Sequence, residues 1–465
     1  MNPITIPNIS IPTIGIPTIG IPSVGFPSAS GGGGLSCPAG MKEHIKAWYD
    51  PKKQKLTNYD VIESYTEDFT SNNWKHTNNV TVTSNSFRLT YGNLTYELYP
   101  IKDYNTKPMT VIVKGLVGIK GFIRYRYGQK DYIDINKDGV YYLPAKVDDV
   151  TVLGFQTHFK SECDITITQL PTSILKDFSG NGNHAYLYGG KGKLNSGMGL
   201  YKVDFTSWRK SPVQTEVKPD VVKVTPNTSD YLFIQYANSV EIPSYKIKVI
   251  GLGDNVLKYQ YATENGRKEI NIVEGENELP TSIKVSNDYQ IGYRLTPGTS
   301  VFTITQIPDY PDQLCYDGKM YAVAYDMPIL TDYTVMAERT WFEKEEYSAF
   351  ISNSLGGMED PDNGAFCVEI KSLNSFTAIS FGSITSIGIP EKGITYQTKQ
   401  SYNGNSINVG TKESNDVLTL GGRYFYKNDN AVGNIWNGCH GAIIVADRSF
   451  TEEEINWLKQ NWDKI

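Results

Sequence analysis

The chain carries the same pattern twice. MTVIVKGLVGIKGFIRYRYGQKDYIDINKDGVYYLPAKV, starting at Met109, lines up with YKIKVIGLGDNVLKYQYATENGRKEINIVEGENELPTSIKV, starting at Tyr245. Further on, ITITQLP ending at Pro171 matches FTITQIP ending at Pro308. Gly115 and Gly251, Leu143 and Leu279, and Gln169 and Gln306 are each separated by 136 or 137 residues. Trp74 in NNWKH falls near Trp208 in TSWRK, so each copy is about 100 residues, the usual size of one β-sandwich. A period this long means duplicated domains, because solenoid units are several-fold shorter. Alternating runs such as VTVTSNSFRLTYG read as strands of half-buried antiparallel sheets. The 32 tyrosines and 42 glycines suit short strands joined by tight turns. The chain is expected to be mostly β.

At 465 residues there is room for roughly three domains. The net charge of −6 is spread without a basic stripe, which argues against nucleic acid and against an anionic membrane surface as partners. The five cysteines, Cys37, Cys163, Cys315, Cys367 and Cys439, are too scattered for a disulfide framework, and no pair has metal-ligand spacing. They are read as reduced, buried thiols. No stretch reaches the roughly 18 to 20 apolar residues of a membrane-spanning helix.

Between and after the two copies lies a second pattern. IKAWYDPKKQ (45 to 54), LKDFSGNGNHAYLYGG (175 to 190), Tyr316-Asp317-Gly318 and the closing GAIIVADRSFTEEEI (441 to 455) resemble the concanavalin A-like, laminin-G-like jelly roll of phage structural proteins and bacterial surface proteins. The resemblance covers about 200 residues in three pieces. It implies one jelly roll built from 41–59, 172–206 and 313–465, interrupted by homologous β-sandwiches at 60–171 and 207–312. Such insertions are physically reasonable, since a domain whose ends lie close together enters a surface loop at a small entropic cost. The closing helix is legible without the family. Thr451 with Glu454 forms a capping box, and Ile455, Leu458 and Trp462 make one apolar stripe.

Residues 1–34 are of another kind. A pentapeptide, (Ile/Phe)-Pro-x-(Ile/Val/Ala)-(Gly/Ser), begins at Ile6, Ile11, Ile16, Ile21 and Phe26 and ends in a GGGG hinge. Proline at every fifth position rules out an α-helix and leaves an extended course. The arm lacks the basic start and unbroken apolar core of a secretory signal. It is apolar yet too short to bury itself, so it is expected to dock on a partner through those five anchors. A flexible linker is the alternative, but linkers are normally polar or Gly/Ser-rich.

The loop Asp177-Ser179-Gly180-Asn181-Gly182-Asn183 has oxygens for calcium or for a sugar site, and Asp177, Asn181 and Asn183 are taken as candidate glycan contacts. A turn capped by Asp177 explains the same composition and is the favoured reading. Asp134, Asn136 and Asp138 open a calcium-loop pattern, but its twelfth position is Ala145, so a hairpin turn is favoured and no cofactor is expected. Among aromatics able to stack on a sugar, Trp436 in GNIWNGCHG is the first choice and Trp341 the next, although sandwich tryptophans are mostly core. The jelly rolls that cleave β-glucans carry E-x-D-x-x-E or E-x-D-x-E, and neither string occurs here. No H-E-x-x-H or G-x-S-x-G motif occurs either.

The resemblance, taken with the arm, implies a non-enzymatic virion protein of a tailed phage, as in crAss-like gut phages. It would be a head or tail fibre, dimeric or trimeric, assembled in the bacterial cytoplasm, held to other virion proteins by residues 1–34 and displaying lectin-like sandwiches to surface glycans. The alternatives are a bacterial glycan-binding surface protein and, less favoured, a glycoside hydrolase or lyase.

Overall fold

The structure is a computed structural model. It describes residues 40–464 apart from 148–152, 193–194, 210–213, 228–231, 236–240, 285–290, 344, 357–363, 373–374, 389–391 and 426–430. The arm, with Ile6, Ile11, Ile16, Ile21 and Phe26, lies outside the described residues, as does Cys37.

The described chain is all-β, a jelly roll interrupted by two homologous β-sandwiches. The jelly roll is made of two eight-stranded sheets. Its organising element is Asn437–Ala446, whose run GCHGAIIVA is buried along nearly its whole length. On one side it pairs with Thr334–Trp341. On the other side two strands share its edge: Asp309–Asp317 pairs residues 437 to 440, and Ile45–Tyr49 pairs residues 443 to 446. Gly197–Leu200 then adds to Asp309–Asp317, so all three pieces of the jelly roll meet in one sheet. The second sheet runs from Ile174–Leu175 and Ala185–Tyr188 through Tyr321–Ala324 and Leu418–Leu420 to Ser383–Gly388. Between the sheets lie Leu314, Tyr316, Ile443 and Val445 together with Leu187, Phe350, Ile351 and Leu420.

The closing helix, Glu452–Gln460, has the expected capping box, and Ile455, Leu458 and Trp462 are buried. Arg448 adds a two-pronged ion pair to Glu454 at 2.6 and 2.9 Å, fixing the turn into the helix.

The two inserts share the strand plan of one five-stranded sheet, and their other sheets have five and four described strands. In the first, one sheet runs Val80–Val82, Ser86–Asn93, Lys160–Gln169, Met109–Lys114, Gly139–Leu143; in the second, Gln214–Val217, Val221–Val224, Phe302–Ile307, Tyr245–Ile250, Gly275–Leu279. Met109 faces Leu143 in one, and Tyr245 faces Leu279 in the other. Gln169 clamps the entry segment of its insert: its Oε1 accepts from the backbone N–H of Thr66 and Glu67, and its Nε2 donates to the Glu67 carbonyl. Gln306 does the same with Lys202 and Val203. Gly115 and Gly251 both take positive φ, +94° and +86°, and at Gly115 a Cβ would lie 2.0 Å from the Asp164 carbonyl oxygen. Trp74 meets Phe69 edge-on at 5.2 Å, and Trp208 meets Phe205 at 5.5 Å, so the paired tryptophans are equivalent core positions.

Core membership moves the joins slightly from the sequence boundaries. Val61 packs in the jelly-roll core and Phe69 in that of the first insert, while Val203 and Phe205 already belong to the second insert, ahead of residue 207. The tetrapeptide Asp-Phe-Thr-Ser stands at both entrances, at 68–71 and 204–207, with Asp68 and Asp204 capping the N–H groups of Thr70 and Thr206. No helix among the described residues is long and apolar enough to cross a membrane.

Candidate ligand cleft

Strand alternation sends one set of side chains of the first insert inward and the other outward. On Lys160–Gln169, Ile165 and Ile167 are fully buried in the core, which leaves Asp164, Thr166 and Thr168 on the outer face. Ser86 and Arg88 on Ser86–Asn93, and Ile112 and Lys114 on Met109–Lys114, join them there. This polar face looks onto the outer face of the jelly roll's second sheet, where Tyr188, Tyr321, Val323 and Tyr325 stand beside Tyr424 and Val432. The two faces enclose a cleft of about 520 Å³.

The tyrosine wall is organised. Tyr188 and Tyr321 stack at 5.0 Å with 13° between their planes, and the hydroxyls of Tyr188 and Tyr325 lie 3.1 Å apart. Burial raises all three phenols, Tyr321 to about 12, so they stay neutral donors at physiological pH. On the opposite wall Arg88 grips Asp164 with two bonds of 2.7 and 2.8 Å, which holds the Asp164 carboxyl below its ordinary range. Lys114 Nζ donates to the Tyr424 hydroxyl at 2.8 Å and lies 5.3 Å from that ring. Burial pushes the Lys114 ammonium down to about 8, against the opposing pull of Asp416 and Asp138. The cleft therefore offers ring faces on one side and an ion pair, an ammonium and hydroxyls on the other.

The residues singled out from the sequence lie elsewhere. Trp436 corrects its assignment as a sugar platform: it is fully buried among Phe350 (4.8 Å), Tyr316 (5.4 Å) and Trp341 (5.5 Å). Gly438 makes room for it, since a Cβ there would fall 2.2 Å from the indole. Trp341 is packed edge-on between Phe376 and Trp436 and serves the same core. Asp177 is buried, its carboxylate accepting from the N–H groups of Trp48, Ser179 and Asn183. Asn181 and Asn183 donate to the carbonyls of Ile45 and Lys46. The loop thus staples the opening strand to the sheet, as the turn reading expected, and has no carboxylate to spare for a sugar or a cation.

The calcium pattern dissolves in the same way. Asp134 is bound by Arg124 at 2.7 and 2.9 Å, Asn136 is exposed, and Asp138 accepts from the backbone N–H groups of Gly115 and Leu116. In the second insert Glu274 does the work of Asp138, accepting from Gly251 and Leu252. No group of three potential metal ligands occurs among the described residues. The cleft itself escaped the sequence reading, although the alternating tyrosines of AYLY and YAVAY mark its wall.

No protein family and no curated protein matches this chain by sequence. Among solved structures, the Trypanosoma rangeli sialidase in complex with sialic acid aligns over 83% of this chain and 83% of its own at 9% identity, with a TM-score of 0.24. The same enzyme with 2,3-difluorosialic acid, a covalent intermediate, gives the same coverage and identity and a TM-score of 0.25. The N-terminal CBM22-1–CBM22-2 tandem domain of Paenibacillus barcinonensis Xyn10C aligns over 54% of this chain and 96% of its own, at 14% identity and a TM-score of 0.13. At these values the likeness carries no argument about ligand or activity.

Proposed function

We propose that this chain is a non-catalytic, saccharide-binding display protein of a phage particle, a head or tail fibre seated on its neighbours by residues 1–34. The observation that carries the reading is the cleft between the first insert and the jelly roll. A pyranose has an apolar C–H face that suits the Tyr188–Tyr321 stack, and equatorial hydroxyls that suit Thr166, Thr168 and the Arg88–Asp164 pair. A hydrolase of the two-carboxylate type needs an acid and a nucleophile or base facing each other. Among the described residues lining this cleft Asp164 is the one carboxylate, and it is tied to Arg88. The apolar, proline-punctuated arm supports attachment to a larger particle, because nothing in its own composition lets it fold alone.

The full chain should bind members of an oligosaccharide array. Tyr321→Ala should lower that affinity at least about tenfold while leaving the melting temperature within about 2 °C of the parent, the loss of one stacking face. Equal binding by parent and variant would remove the cleft from the reading. Mass spectrometry of purified particles should find the chain as a stoichiometric component, and deletion of residues 1–34 should leave a folded protein that no longer incorporates. Its recovery only from bacterial surfaces would replace the phage with a bacterial owner.

A further inference from the structure

Among the described residues, the charges lining the cleft do not cancel. Asp164 is matched by Arg88, each oxygen facing one guanidinium nitrogen, so that pair is neutral as a unit. Lys114 is half-buried on the same wall, and among the described residues its ammonium meets the hydroxyl and ring of Tyr424 and has no carboxylate within ion-pair distance. Asp416 and Asp138 act on it only from beyond ion-pair distance, and Asp138 is already bound to the backbone of Gly115 and Leu116. An ammonium withdrawn from water without a counter-ion is unfavourable, and an incoming anion relieves it.

Building on the saccharide reading of this cleft, we infer that its ligand is an anionic saccharide whose carboxylate or sulfate ester seats on Lys114 Nζ while a sugar ring lies against the Tyr188–Tyr321 stack. The charged end binds beside Tyr424 and the ring binds across from it. Charge then selects the sugar, and stacking holds it.

The test titrates the full chain with three probes: an oligogalacturonate, a sulfated galactose oligosaccharide and a neutral galacto-oligosaccharide of the same length. One or both anionic probes should bind at least about tenfold more tightly than the neutral one, as expected for a desolvated charge pair. Lys114→Met should erase that preference, and Lys114→Arg should retain most of it, which separates loss of charge from loss of fold. If the neutral probe binds as well as the anionic ones and Tyr321→Ala weakens all three, the charge inference falls and the saccharide reading stands. If no probe binds in a Tyr321-dependent way, both fall.

A second observation is independent of any ligand. Cys315 and Cys439 are directly opposite each other on the antiparallel strands Asp309–Asp317 and Asn437–Ala446, both buried and both free thiols. Facing residues on such strands have Cα atoms about 4.5 to 5.5 Å apart, inside the roughly 4.4 to 6.8 Å that a disulfide spans. We propose that the two close a cross-strand disulfide when the protein meets a small-molecule disulfide such as oxidised glutathione. One cysteine thiolate attacks the glutathione disulfide and releases one glutathione. The other then displaces the second, so two protein thiols lose two protons and two electrons and the oxidant is reduced to two glutathione molecules.

After incubation with oxidised glutathione, thiols titrated in denaturant should fall from the five of the sequence to about three, and peptide mapping should find Cys315 joined to Cys439. Cys439→Ser should keep its remaining thiols under the same treatment. A count that stays at five, also when mild urea admits the oxidant, would overturn the pairing.

Discussion

The two inserts have one framework and two different outer surfaces. Both are closed by a buried glutamine of the last strand that binds the entry segment, both begin with Asp-Phe-Thr-Ser, and both hold a glycine turn with an acidic side chain. On the outer face the likeness ends. Strand register sets Arg88 of the first insert at the place of Lys223 in the second, both opposite a threonine of the following central strand. It sets Lys114 at the place of Ile250, which is exposed. Asp164, two residues before Thr166, corresponds to Val301, also exposed. The polar set that forms one wall of the cleft is thus replaced in the second insert by a lysine and two solvent-facing aliphatics. Duplication kept what closes a sandwich and changed what the sandwich presents.

The sharpest way to break this comparison is at the glutamines. Gln169→Leu and Gln306→Leu each orphan two backbone N–H groups and a carbonyl in a buried place, which should destabilise the affected insert by about 3 to 5 kcal/mol. Hydrogen exchange read separately on each insert should show equal losses. A large effect in only one would mean the frameworks are not equivalent.

Acid should separate the jelly roll from the inserts. Burial lowers His440, bonded to the Tyr316 hydroxyl at 2.9 Å, to about 4. The unfolded chain takes up this proton as pH falls through about 6.5, and the folded chain does so only near 4. The contribution is complete above pH 6.5, is lost between there and 4, and amounts to on the order of 3 kcal/mol. Exchange protection of Ile443 to Val445 should fall over that window, and His440→Asn should flatten the slope.

Smaller and again paired, Asp138→Ala and Glu274→Ala should each cost about 1 to 2 kcal/mol, the usual worth of a carboxylate capping backbone N–H groups, read from thermal melts. Smallest of all, Lys223→Ala should leave saccharide binding unchanged, whereas Arg88→Ala at the matching place should weaken it several-fold by titration.

The fold was largely legible from sequence because its determinants are local. The 136-residue offset, the alternating strands and the Thr451 capping box each lie in contiguous stretches whose pattern dictates one backbone geometry. The turn chemistry of the SGNGN loop was legible for the same reason. Two equivalences were missed although they were present: Asp-Phe-Thr-Ser is identical in both copies, and Asp138 and Glu274 do one job with side chains of different length. Trp436 misled because Asn and Gly around it look like a loop, whereas Asn437 opens a buried ten-residue strand and Gly438 is small to admit the indole.

Sequence alone determined that this is a duplicated all-β chain, because periodicity, turn residues and capping act over a few residues at a time, while the third domain split around the copies was what the resemblance implied. Which outward faces meet was decided only by the tertiary structure. Alternation says that Arg88, Lys114, Tyr188 and Tyr321 leave their own cores, but the cleft they share depends on how one sheet is set against another, and that is a matter of packing between segments as far apart in the chain as Ser86 and Val432.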